Sequence, residues 1–179
     1  MQRKIFISLN LPEKDKKSLD KAVERLNFLP VKWIKAENLH LTLSYLGHID
    51  DGAINEIFKK ISQAVENIEA FGIEFNKIAL DNLTDSKLIW LTGEASHELK
   101  LLQEKIEQAL GIFVAVKKKF FPHVILGRIR QKKWAELPQK PEIEIRYPLI
   151  LSVENVDIMA SDFIDNGQEY TLIESFPLR

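Results

Sequence analysis

His40-Leu41-Thr42-Leu43-Ser44-Tyr45-Leu46-Gly47 alternates polar and apolar side chains and runs into a glycine, the pattern of a half-buried β-strand. Period-2 geometry sends His40, Thr42 and Ser44 to one face and Leu41, Leu43 and Tyr45 to the other. Phe121-Pro122-His123-Val124-Ile125-Leu126-Gly127-Arg128 repeats the design later in the chain, with Ile125 at the position of Thr42. The chain has four histidines, and two of them head these matching strands. The same parity puts residues 125, 127 and 129 on the face of His123. Arg128 then faces away unless a bulge or the strand end turns it back.

Outward from these strands, Lys4 to Leu9 reads as a strand, and Leu11-Pro12 opens a helix to about Leu26 with Leu19, Val23 and Leu26 at helical spacing. Val31 to Lys35 and Leu39 to Leu46 are predicted strands. Asp50 or Asp51 caps a helix to about Ile68, with Ile54, Ile57, Phe58, Ile61 and Val65 as its apolar stripe. Strands follow at Phe71 to Leu80 and Leu88 to Thr92, then a helix over Ser96 to Leu110. The remaining strands are Phe120 to Ile129, Ile143 to Arg146, Leu149 to Met159 and Glu169 to Ile173. Helices and strands mix without a uniform βα period. The expected fold is α+β: two pseudo-symmetric lobes, each an antiparallel-rich sheet with flanking helices, facing a central cleft. No Pro-, Gly- or Ser-rich linker divides the chain, so residues 1–179 are expected to form one bilobal domain with one histidine motif per lobe (40–43 and 123–126).

Composition narrows the function. With 25 basic against 26 acidic residues the formal charge is −1, so no global field draws the molecule to nucleic acid or an anionic membrane, and contact with RNA must be local. There is no cysteine for a disulfide or thiolate site. No apolar run approaches the roughly 18 residues of a membrane span. These features suit a cytoplasmic protein that acts as a monomer, without a membrane or metal partner. Gly-x-Gly-x-x-Gly and Walker-type loops are missing, which argues against a nucleoside-triphosphate enzyme.

A histidine can serve as base in one step and acid in another near neutral pH, and two of them flanking one group suit displacement at phosphorus. A nearby hydroxyl such as Thr42 can hold a non-bridging phosphate oxygen. His48, in a loop, and His97, on a helix, read as solvated surface residues. Lys117-Lys118-Lys119 reads as a solvated strand edge sooner than as an RNA guide. Trp33, Tyr45, Phe120 and Phe121 are packing residues with a secondary capacity to stack on bases.

These pieces resemble the two His-x-Thr/Ser-x motifs of the 2H phosphoesterase superfamily, and most closely the bacterial and archaeal RNA 2′,3′-cyclic phosphodiesterases, long labelled 2′-5′ RNA ligases. Arg3 to Pro12, Trp33 to Gly47, Phe121-Pro122-His123 with Arg128, and Tyr170 to Leu178 follow in the family's order. The resemblance implies a bilobal fold, no cofactor and no metal. It also implies hydrolysis of a cyclic phosphate at an RNA 3′ end to a 2′-phosphomonoester. On that basis His40 is the proton donor, His123 the proton acceptor, and Thr42, Ile125 and Arg128 occupy substrate-binding positions. Ile125 departs from the motif: a hydrogen bond to a charged group is worth about 1.5–3 kcal/mol, roughly tenfold to 150-fold in rate. The alternatives are a 2′-5′ oligonucleotide phosphodiesterase or ligase, and an RNA-end binding protein weakened in catalysis.

Overall fold

The computed structural model describes residues 2–82, 84–115, 120–164 and 167–179. Its strands are β1 (Gln2–Asn10), β2 (Val31–Trp33), β3 (His40–Asp50), β4 (Phe71–Leu80), β5 (Leu88–Gly93), β6 (His123–Ile129), β7 (Glu144–Val153), β8 (Asn155–Ile164) and β9 (Gly167–Pro177). The helices are α1 (Glu13–Glu24), α2 (Asp51–Val65), α3 (His97–Leu110) and the short α4 (Gln131–Ala135). The sheet runs β7-β4-β5-β6-β3-β1-β8-β9, every pair is antiparallel, and β2 adds to β6. This is the expected mixed α+β architecture.

The sheet has two halves, each with its histidine strand innermost. Among the described residues β3 and β6 are joined through a single pair, Leu41 opposite Val124. Both side chains are fully buried. Antiparallel register therefore sets Thr42 across from His123 and His40 across from Ile125. Helices α2 and α3 pack against each other, and their predicted stripes enter one continuous core, with Ile57, Ile61, Leu99, Leu102 and Ile106 at most 1% exposed. The α3 N-terminus is capped by Ser96, whose Oγ accepts from the Leu99 N–H at 3.2 Å. Asp50 takes the cap position of α2, but its side chain makes no capping bond.

Several boundaries differ from the sequence reading. Gly47 does not end β3; it adopts φ 74°, which a glycine takes at no steric cost, and the strand continues through this bulge to Asp50. Leu149 to Met159 is two strands that turn at Glu154, and β7 instead begins at Glu144 and runs through Pro148. That proline is tolerated because β7 is an outermost strand and Tyr147-Pro148 form a bulge opposite Asn76. The five-residue α4 was too short to show periodicity, and Trp134 is its one buried anchor.

Candidate active site

The sheet centre brings the two motifs together. One cleft is lined by His40, Thr42, Tyr45, His123, Ile125, Arg128 and Tyr170, with Ile34 and Asn38 at its margin. Every site residue read from the sequence lies in it. His48 and His97 are exposed and lie outside it. Lys117, Lys118 and Lys119 lie outside the described residues.

Both histidines are held in the same way. His40 Nδ1 lies 2.7 Å from the carbonyl oxygen of Asn38, and His123 Nδ1 lies 2.7 Å from that of Phe121. A carbonyl can only accept, so each Nδ1 carries the proton and each Nε2 holds the lone pair in the neutral ring. His40 Nε2 then accepts from the Thr42 hydroxyl at 3.0 Å. His123 has no such neighbour in its own motif, because Ile125 offers no hydroxyl.

The carbonyl beside His40 is itself anchored. Lys16, buried on α1, donates to the Glu37 carbonyl at 3.2 Å, and Asn38 Nδ2 donates to the Gln168 carbonyl at 3.0 Å. These bonds fix the turn that presents the Asn38 oxygen. Aromatic rings complete the walls. Phe6 and Tyr170 lie 4.9 Å and 5.0 Å from the His40 ring, and Trp90 lies 4.8 Å from that of His123.

Burial dominates the electrostatics. It lowers His40 from 6.5 to about 4, with Lys16, His123 and Arg128 adding repulsion against the smaller opposing effect of the Asn38 carbonyl. His123 is also lowered by burial, countered by the Phe121 carbonyl and the Asp81 carboxylate. The Tyr170 phenol is raised, by burial first and then by Tyr45. Without substrate both imidazoles are neutral at pH 7.

Strand parity misplaced Ser44 and Tyr45 and left Arg128 open. In the β1–β3 register, Ser8 pairs with Thr42 and Ile7 with Ser44, so Leu43 is an extra residue on β3. In the β5–β6 register, Trp90 pairs with Ile125 and Ile89 with Gly127, so Leu126 is an extra residue on β6. Each bulge falls at the fourth position of its motif and shifts the phase of the strand beyond it. Arg128 therefore turns into the cleft, as one of the two sequence alternatives required. It makes no ion pair among the described residues. By the same shift Tyr45 enters the cleft, its Oη 3.4 Å from Thr42 Oγ1, and Ser44 is buried instead. Trp33 packs at Gly127, where an added Cβ would stand 2.9 Å from its ring.

Sequence reasoning gave no site role to Asn38, Lys16, Phe6, Trp90 or Tyr170. Asn38 sits two residues before His40, and that spacing was the available signal; the others come from distant elements. Among the described residues no group of three or more His, Asp or Glu side chains is placed to hold a metal ion. No helix there is long and apolar enough to cross a membrane.

Comparisons with known proteins agree with this architecture. An RNA 2′,3′-cyclic phosphodiesterase of Thermotoga maritima is 25% identical over 174 residues, covering 94% of this chain and 91% of the relative. A crystal structure from Thermus thermophilus superposes with a TM-score of 0.82 at 23% identity, covering 98% of each chain. Escherichia coli LigT in complex with 3′-AMP gives 0.76 at 20% identity, covering 99% of each. Residues 15–162 match the profile of the 2′-5′ RNA ligase superfamily, and the chain belongs to that family of 2H phosphoesterases.

Proposed function

We propose that this protein hydrolyses a terminal 2′,3′-cyclic phosphate of RNA to a 2′-phosphomonoester. The observation that carries the reading is the pair of histidines in one cleft, each tied through Nδ1 to a carbonyl two residues upstream so that Nε2 remains for proton transfer. The names of the sequence relatives support the same reaction class.

In the proposed step His123 Nε2 takes a proton from water as the water oxygen bonds to phosphorus. The bond from phosphorus to the 3′ oxygen breaks, and His40 delivers a proton to that oxygen. Thr42, Tyr45 and Arg128 hold the non-bridging oxygens. Since His40 is neutral in the free protein, the substrate must load it. A phosphodiester anion about 4 Å away at an effective dielectric of about 20 contributes about 4 kcal/mol, or about three pKa units, which returns His40 to the neutral range.

The test is to incubate the protein, with chelator present, with RNA ending in a 2′,3′-cyclic phosphate and to identify the product. Gain of one water with the monoester on the 2′ oxygen is expected. Binding without conversion would favour an RNA-end reader, and a 3′-phosphate would contradict the leaving group. A substrate with sulfur in place of the 3′ oxygen assigns the two roles, because a thiolate leaves without a proton. It should restore turnover to His40→Ala and not to His123→Ala; the opposite pattern would exchange them.

A further inference from the structure

Beside the catalytic cleft lies a second groove of about 390 Å3, which shares Thr42, Tyr45 and His123 with it. Its floor is aromatic: Trp90 and Phe121 stand 5.6 Å apart and tilted by 36°, with Phe120 alongside. Its far wall comes from α3, where Gln103 and Glu107, one helical turn apart, face the same way. Gln103 is only 7% exposed, and its amide, which makes no hydrogen bond among the described residues, keeps contact with solvent at the groove. Glu107 has no ion-pair partner there either.

We infer that this groove receives the nucleobase of the nucleotide that carries the cyclic phosphate, and that Gln103 and Glu107 make it selective for bases bearing an exocyclic amine. The inference rests on the function proposed above. A phosphate held between the histidines leaves its own base within reach of the adjoining groove. A carboxylate at the end of an aromatic slot disfavours a further phosphate and favours a flat, neutral ring with N–H donors on its edge. The Glu107 carboxylate only accepts, so it pairs with the amine of adenine, cytosine or guanine. The Gln103 amide both donates and accepts, and it meets the neighbouring ring positions. Uracil sets carbonyl oxygens on both sides of its single N–H, and these repel the carboxylate. Trp90 and Phe121 supply stacking that does not depend on base identity.

The experiment compares kcat/KM for the four nucleoside 2′,3′-cyclic monophosphates and, in parallel, equilibrium binding of the four nucleoside 2′-monophosphates by intrinsic tryptophan fluorescence. Uridine should fall about tenfold or more below the amine-bearing bases in both series. Glu107→Ala should bring all four within about twofold, chiefly by raising uridine relative to the others. Trp90→Leu should raise KM for every base by about tenfold without changing their ranking. Equal treatment of the four bases by the parent, or a Glu107→Ala variant that slows all four alike, would overturn the inference. Absence of turnover for every base would instead defeat the proposed reaction, and the binding series would still report the selectivity.

Discussion

Strands β3 and β6 are two versions of one device. Each begins with a histidine tied to a carbonyl two residues before it, each bulges at the fourth motif position, and each returns its sixth residue to the cleft. Of the residues they send into the cleft, two differ: β3 carries Thr42 and Tyr45 where β6 carries Ile125 and Arg128. The shared features are backbone geometry, which aims a side chain regardless of its chemistry. The differing ones divide the work: β3 offers neutral hydroxyls, and β6 offers a cation. A near-symmetric frame thus presents an asymmetric grip, which suits a phosphodiester whose attacking and leaving oxygens need opposite treatment.

The comparison breaks first at what the strands share. His40→Ala and His123→Ala should each lower kcat by about 10²–10⁴-fold with the fold intact by circular dichroism. If either variant retained near-parental turnover, the two strands would not be catalytic equivalents. Arg128→Met should cost about tenfold to 150-fold in kcat/KM, as expected for one charged hydrogen bond to phosphate, and should make the rate less sensitive to salt. Thr42→Val should cost about tenfold, while Ile125→Thr should leave turnover unchanged or raise it. A marked fall in Ile125→Thr would show that β6 depends on an apolar contact at that point. The smallest expected effect is on the pH profile. A two-histidine reaction needs one ring protonated and one neutral, so its rate peaks between their two pKa values. His40 lies at about 4 and His123 below 6.5 in the free protein. The kcat/KM optimum should therefore fall between about 4 and 6.5, and that of kcat should be higher because bound phosphate favours the protonated rings. A flat profile across pH 5–8 would exclude the pair as acid and base.

Much of this was legible in the chain because local pattern and tertiary need agreed. The stripes on α2 and α3 and the apolar backs of β3 and β6 carry their periodicity in the sequence itself. The histidine pair was visible because the motif occurs twice. Phase along the strands was not. Leu43 and Leu126 are ordinary strand residues, and a bulge is created by the partner's register, which local sequence does not record. Tyr45 and Ser44 were accordingly assigned to the wrong faces, and Arg128 was left between two alternatives. Lys16, Trp90 and Tyr170 come from α1, β5 and β9, elements that only the sheet order brings to the cleft. Ile125 shows the reverse case: the sequence displayed the missing hydroxyl, and only the structure showed Tyr45 Oη beside Thr42.

Leu41 and Val124, which among the described residues form the one pair between the two halves of the sheet, lie on the reverse side of the strands that carry the imidazoles. The span between the two rings is therefore set by the backbone pairing of β3 with β6 together with the hydrocarbon packed beneath it. A methylene gained or lost in that seam would show as a change in reaction rate, although it lies on the opposite surface from the chemistry.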